Sequence, residues 1–174
     1  TAQLLYNYTL QKGADKEDNY PYKGKDGTCR SYSPAATITG FLNLPSNDGK
    51  SLMAAVANFG PITVSVAASS WALYSGGVFG FDDCDADINH AVLLVGYGTD
   101  EKLGAYWKIQ NSWGPEWGEK GFIRLQRFTG TPKCAVDKSP ADGSACEGGP
   151  SEVSVCGACG VLYDSSFPIG GSAN

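Results

Sequence analysis

Residues 89–98, NHAVLLVGYG, and residues 105–113, AYWKIQNSW, decide how this chain is read. The first run holds the only histidine in the sequence, His90, at the head of an apolar stretch. A lone histidine in such a place is ordinarily a core residue with satisfied ring nitrogens, so its partner matters. The two runs are strand-like and joined by TDEKLG, which predicts a β-hairpin. With the turn centred near Glu101, antiparallel pairing sets residue i opposite roughly residue 202 − i. His90 then faces Ser112 and neighbours Asn111. An asparagine carbonyl beside an imidazole accepts a ring N–H and holds one tautomer without adding charge. Trp113 and Trp117 follow at once and are placed to cover that hydrogen bond, lowering the dielectric around it. The plainer alternative stays open: Asn111 satisfies a loop and the tryptophans fill a core.

Working outward, the composition bounds the answer. The chain has 174 residues, 42% hydrophobic and 18% charged, with 23 Gly and 9 Pro. That suits one loop-rich domain with much β structure, or two small ones. The net charge is −5 and the 13 Lys and Arg are scattered, which argues against a nucleic-acid partner. No apolar run approaches the length needed to span a bilayer. With one histidine and no paired CxxC spacing, neither a metal site nor an organic cofactor is expected.

A helix is expected over TAQLLYNYTLQKG, with Leu4, Leu5 and Tyr8 at helical spacing and Gly13 as its stop. The chain enters that helix directly at Thr1, so processing or an absent upstream part is expected. A turn-rich stretch follows, DKEDNYPYKGKDGTCRSYSP. Asp48 to Phe59 reads as a second helix, capped by Asp48 and stopped by Gly60-Pro61. ITVSVAA alternates as a strand, and SSWALYSGG is a short helical turn. Strands then dominate: INHAVLLVGYG, AYWKIQNSWG, GFIRLQRF and GVLYDSSFPI. Helix-led and then antiparallel, the order indicates α+β. Residues 129–156 read as an irregular insertion.

Six cysteines, at 29, 84, 134, 146, 156 and 159, allow 15 full pairings and suggest disulfides in an oxidising compartment. Asn7-Tyr8-Thr9 is a glycosylation sequon that agrees with such a compartment.

NHAVLLVGYG followed by YWKIQNSWGPEWGEKGFIRLQR resembles the papain family of cysteine proteases, which includes the cathepsins. The likeness continues upstream in GADKEDNYPYKGKDGTCR and downstream in CGVLYDSSFPI, and covers nearly all but 129–156. It implies a two-domain α+β papain-like fold with the active site in the cleft between the domains. Residues 1–30 would be a remnant of the helical domain and its crossover, and 31–174 the antiparallel β-barrel domain with its insertion. By the same likeness His90 is the general acid/base, Asn111 its orienter, and Trp113 and Trp117 active-site support. Ser65, Ile88, Asn89 and Ala91 would face substrate, with Asp164 at the floor of the main selectivity pocket. An acid there would accept Arg as well as Leu or Phe, unless Asp164 simply points to solvent. Cys84 matches a family cysteine bridged to the one matched by Cys159. Metal ligands and cofactors are implied nowhere.

The departure from the family pattern is the nucleophile. The family's cysteine lies in a Gln…Cys-Gly-Ser-Cys-Trp-type segment upstream of YPY, and none of the six cysteines here takes its place. The oxyanion-hole Gln belongs to that segment too. This chain alone is therefore predicted to be inactive. Cys29 matches a cysteine whose usual partner lies upstream, so a linked N-terminal segment or chain is the expected partner, with peptides or proteins as substrates. Two of Cys134, Cys146 and Cys156 are expected to staple the insertion, leaving one odd thiol. The favoured reading is part of a cysteine endopeptidase completed from outside this chain. A non-catalytic scaffold or interaction subunit is the alternative, and an inert fragment the third. The family implies a lysosomal, vacuolar or extracellular location.

Overall fold

The computed structural model describes residues 1–142 and 148–173. The chain divides into a large unit, Asn43–Phe167, and a small one, Ala2–Leu42 with the residues from Pro168 onward.

In the small unit, α1 (Ala2–Lys12) forms where helical spacing predicted it. Gly13 ends it at φ 72°, its N–H reaching the Thr9 carbonyl at 2.8 Å. That left-handed backbone is where glycine is favoured. The helix buries Tyr6, whereas Leu4, Leu5 and Tyr8 are exposed. Tyr6 packs on Phe41 with ring centroids 5.5 Å apart. β1 (Ala36–Thr37) pairs antiparallel with β11 (Ser172–Ala173), and Ala14 bridges to Ala36. β2 (Gly40–Asn43) and β10 (Ser165–Ile169) are the stretches through which the chain passes between the units.

The large unit begins with α2 (Gly49–Phe59). The Asp48 carboxylate accepts the N–H groups of Lys50 and Ser51 at 3.0 and 3.1 Å, taking up donors the first turn cannot satisfy itself. Leu52, Ala55 and Val56 recur on one face and are buried. Gly60, at φ 96°, and Pro61 stop the helix. β3 (Ile62–Val66) follows with strict alternation: Ile62, Val64 and Val66 are fully buried while Thr63 and Ser65 face out.

The remaining strands of this sheet are β4 (Val78–Phe79), β5 (His90–Asp100), β6 (Gly104–Gln110) and β7 (Phe122–Gln126). Their order is β10-β3-β5-β6-β7-β4, antiparallel except for the parallel β4–β7 pair. Trp71, Leu94, Ile109, Ile123 and Leu125 fill the core behind it.

The predicted hairpin is β5–β6, but its register differs from 202 − i. Asp100 pairs with Gly104, and the Asp100 side chain accepts the N–H groups of Lys102 and Leu103, both at 3.0 Å. The turn thus centres on Lys102 rather than Glu101. A bulge between Leu94 and Gly96 then shifts the register again, to Leu94 opposite Ile109. The β5–β6 ladder ends at Leu93 opposite Gln110, so His90 is not paired with Ser112 across the hairpin; on its other edge it pairs with Val66 of β3.

Two further expectations are corrected. The 129–156 stretch is not wholly irregular, for its ends form an antiparallel ribbon, β8 (Cys134–Asp137) with β9 (Val153–Cys156). Cys134 and Cys156 are disulfide-bonded; Cys146 lies outside the described residues. The expected strand over residues 160–169 is extended only from Ser165. Before it the chain turns through Cys159 at φ 52° and Gly160 at φ 69°, left-handed residues that no strand accommodates.

Candidate active site

His90 stands at the first residue of β5, and Asn111 directly follows β6. Asn111 is fixed by its own backbone, whose N–H donates to the Gly121 carbonyl at 2.9 Å. The residue is 8% exposed. Asn111 Oδ1 lies 2.9 Å from His90 Nε2 and accepts the Ser112 N–H at 2.8 Å. The second bond decides the first. A backbone N–H can only donate, so the atom facing it must be the amide oxygen. That oxygen can only accept, so His90 Nε2 carries its proton and donates. The other ring nitrogen, Nδ1, is left to exchange a proton with a third group. This is an imidazole held in one tautomer by a neutral partner.

Aromatic rings enclose the pair. Trp113 lies over His90 with centroids 5.4 Å apart and planes 32° from parallel. Trp71, fully buried, meets the His90 ring edge-on at 6.4 Å. Trp117 stacks on Trp71 at 6.2 Å and meets Trp113 edge-on at 5.1 Å, so it backs the ring that covers His90. The indoles are themselves anchored: Trp117 Nε1–H donates to the Trp71 carbonyl, and Trp71 Nε1–H to Cys159 Sγ, both at 3.2 Å. Trp113 stays 42% exposed, leaving the enclosure open on one side. Asn111 Nδ2 is buried with no hydrogen-bond partner among the described residues.

Trp71 was not singled out in the sequence. Its stretch, SSWALYSGG, reads as a turn, and the one available signal was an indole where turn residues are usually polar. The tertiary structure puts it beneath His90.

The loop bearing the tryptophans is held from behind. Arg124 donates to Glu119 at 2.7 and 2.9 Å and to Asp100 at 2.9 Å, while Glu119 accepts the Gly77 N–H at 3.0 Å. The Arg124 hydrogen bonds hold the Glu119 carboxyl below its ordinary range, and in return raise Arg124. Asp100 is lowered too, first by the Lys102 N–H and then by Arg124. Gly118, at φ 57°, is required: a Cβ there would meet the Phe122 carbonyl oxygen at 2.6 Å.

Of the expected substrate-facing residues, Ser65 and Ala91 sit opposite each other across β3 and β5. Ser65 Oγ donates to Asp164 Oδ2 at 2.7 Å, and the Ser65 N–H to the Asp164 carbonyl at 3.0 Å. Asp164 is half-buried. Asn89 Oδ1 accepts the Ala68 N–H at 3.1 Å, and its Nδ2 donates to Ser69 Oγ at 2.7 Å. Ile88, two residues ahead of β5, packs against Gly160. A disulfide joins Cys84 to Cys159, and Cys29 is exposed and has no disulfide partner among the described residues. Among the described residues no cluster of three or more His, Cys, Asp or Glu is arranged to hold a metal ion. No described helix is long and apolar enough to cross a membrane.

A family model described as papain family cysteine protease matches residues 2–143. Cathepsin J of Rattus norvegicus is 46% identical over 136 residues, covering 73% of this chain and 40% of that protein. Vignain of Ricinus communis is 40% identical over 175 residues, covering 97% of this chain and 42% of that one. The chain thus spans about two fifths of the length of these curated relatives. Among solved structures, the bromelain protease from Ananas comosus, in complex with the E64 inhibitor, superposes with a TM-score of 0.72 at 34% identity. The match covers 94% of this chain and 66% of that one. The proform of the Amb a 11 cysteine protease, a ragweed pollen allergen, gives 0.72 at 37% identity, covering 94% of this chain and 44% of that one. With its α+β, papain-like fold, the chain belongs to the papain family of cysteine proteases.

Proposed function

We propose that this chain is the histidine- and asparagine-bearing part of a papain-like cysteine endopeptidase whose nucleophilic cysteine lies outside these 174 residues. The observation that carries the reading is the His90 Nε2–Asn111 Oδ1 bond, with the oxygen assigned by the Ser112 N–H. It leaves Nδ1 as the nitrogen to pair with an incoming thiol.

The chemistry then follows. His90 Nδ1 takes the thiol proton, and the thiolate attacks the peptide carbonyl carbon, moving an electron pair onto the oxygen. As that tetrahedral adduct collapses, Nδ1–H gives its proton to the departing amine and the C–N bond breaks. Water adds to the resulting thioester with Nδ1 as base, and release of the acid returns the thiol proton to the sulfur. Throughout, Asn111 holds the ring on axis and stabilises the imidazolium with a dipole rather than a charge. Trp113 and Trp117 keep water from competing for that bond.

Substrate would lie along Ser65, Ile88, Asn89 and Ala91, with the residue second before the scissile bond entering a pocket floored by Asp164. The Ser65–Asp164 hydrogen bond supports a carboxylate turned toward that wall. Cys29, exposed and unpaired, suits a disulfide to the segment carrying the nucleophile. Two disulfides and an exposed Asn7 sequon agree with a lysosomal, vacuolar or extracellular glycoprotein.

The test is hydrolysis of a dipeptidyl fluorogenic amide by the native protein. Activity lost on His90→Ala, with folding intact by circular dichroism, supports the reading. Peptide hydrolysis that survives His90→Ala overturns it, and so does a native protein that cleaves no peptide, which leaves the scaffold role.

A further inference from the structure

The insertion contains a buried carboxylate that the proposed mechanism does not use. Asp137 ends β8 and is 1% exposed. Its Oδ1 accepts the Ser139 N–H at 2.8 Å and its Oδ2 the Ile88 N–H at 3.1 Å. None of the ion pairs among the described residues involves it. Burying a carboxylate is costly, and among the described residues two backbone N–H groups offset that cost here, so Asp137 and the two backbone groups hold one another in place.

What it holds is the approach to His90. The β3–β5 ladder runs out at Val66 opposite His90, and the Asn89 N–H still reaches the Val66 carbonyl at 3.1 Å. One residue earlier the ladder gives nothing to the Ile88 N–H, and Asp137 takes it instead. The Ile88 side chain meets Gly160, which at φ +69° leaves no room for a Cβ: one would stand 2.5 Å from Ile88 Cδ1 and 3.3 Å from Val155 Cβ. Val155, on β9, is also buried. Both strands of the ribbon therefore bear on the same spot; the Cys134–Cys156 disulfide ties the two strands to each other, and Cys84–Cys159 ties the stretch ahead of Ile88 to the turn after β9.

We infer that the β8–β9 ribbon is a specificity element, in which Asp137 is a positioning residue that sets how far Ile88 projects into the substrate pocket. This rests on the assignment of Ile88, Ser65, Ala91 and Asp164 to that pocket. The ligand class is a peptide with an apolar side chain second before the scissile bond, for which Ile88 is the wall.

In the native protein, Asp137→Asn keeps the size but replaces one acceptor oxygen by a donor, so one of the two backbone bonds is lost. Amide hydrogen exchange at Ile88 should accelerate at least threefold. The kcat/KM for a leucyl substrate relative to an arginyl one should fall about threefold to tenfold, through KM rather than kcat, because Asp164 is untouched. Asp137→Glu, which keeps the carboxylate, should restore part of the preference and serves if the Asn variant fails to fold. Ile88→Ala separates the two claims. If it shifts the preference while both Asp137 variants leave the preference and the exchange rate unchanged, the inference is overturned and the pocket stands. If Ile88→Ala shifts nothing, the pocket assignment fails; faster exchange at Ile88 in Asp137→Asn then still supports the positioning role, and unchanged exchange overturns it.

Discussion

Asn111→Ala removes the acceptor on which the tautomer argument depends. Two hydrogen bonds vanish together, the one from His90 at 2.9 Å and the one from Ser112 at 2.8 Å. Each contributes roughly 0.5–1.5 kcal/mol net, and a buried donor left bare costs about 1–3 kcal/mol. Loss of the buried, unpartnered Nδ2 offsets part of this. The net loss of stability should be about 1–3 kcal/mol, read as a lower urea midpoint at constant slope. At His90 itself, about 1 kcal/mol of lost preference shifts the ratio of the two neutral tautomers by roughly fivefold. The ring, packed against Trp113 and Trp71, also gains freedom to turn. Misplacing a catalytic group by an ångström costs about a hundredfold, so kcat/KM should fall about 10- to 100-fold. The tautomer can be read by long-range proton–nitrogen correlation on protein labelled at histidine. His90 is the only histidine of the 174 residues, which simplifies its assignment. A wild-type spectrum dominated by the Nδ1–H form would refute the reasoning, as would an Asn111→Ala spectrum identical to wild type.

Other outcomes follow from the same structure. Arg124→Met should lower the melting temperature by about 2–4 °C. The Glu119 and Asp100 carboxyls are held low in the folded state, so their contribution is full above the unfolded carboxylate pKa and is lost as pH falls through the folded values. The gap between wild type and variant should therefore narrow progressively in melts taken at pH values below the ordinary carboxylate range. Gly118→Ala should destabilise by about 1–3 kcal/mol in urea titrations, since it strains a left-handed residue against a carbonyl; Gly130→Ala, into open space, should not. Trp113→Ala should cost little stability, the ring being 42% exposed, yet lower kcat/KM severalfold and shift the His90 resonances. Asp164→Ala should reduce the kcat/KM of arginyl relative to leucyl substrates about tenfold, and an unchanged ratio would remove Asp164 from the pocket.

Much of the fold can be read along the chain because local chemistry agrees with the tertiary outcome. Asp48 and Gly60-Pro61 bracket α2 through capping and a left-handed stop, and ITVSV alternates because β3 has one buried face. His90 and Asn111 are legible as a pair because a short turn joins the two strands carrying them. What is not legible is set by features without a local period. The bulge between Leu94 and Gly96 and the end of the ladder at Leu93–Gln110 leave no mark in the residue pattern, so the expected His90–Ser112 pairing is absent, although the Asn111 side chain does meet His90. The left-handed turn at Cys159 interrupts an apolar run that otherwise looks extended. Trp71 and Asp137 reach the site from turns and strands far away in sequence. The ring contact of Trp71 with His90 and the hydrogen bond of Asp137 to the Ile88 N–H are set by the tertiary fold, and no spacing rule encodes them.

Labelling the native protein with a thiol-directed epoxide tests whether His90 and Asn111 serve a thiol outside these 174 residues. Its intact mass would be taken before and after reduction, and the labelled peptide sequenced. A single label is expected on a cysteine absent from these residues, on a longer chain or on a segment freed from Cys29 by reduction. A label on Cys29 alone, or no label on a folded native protein, would contradict it.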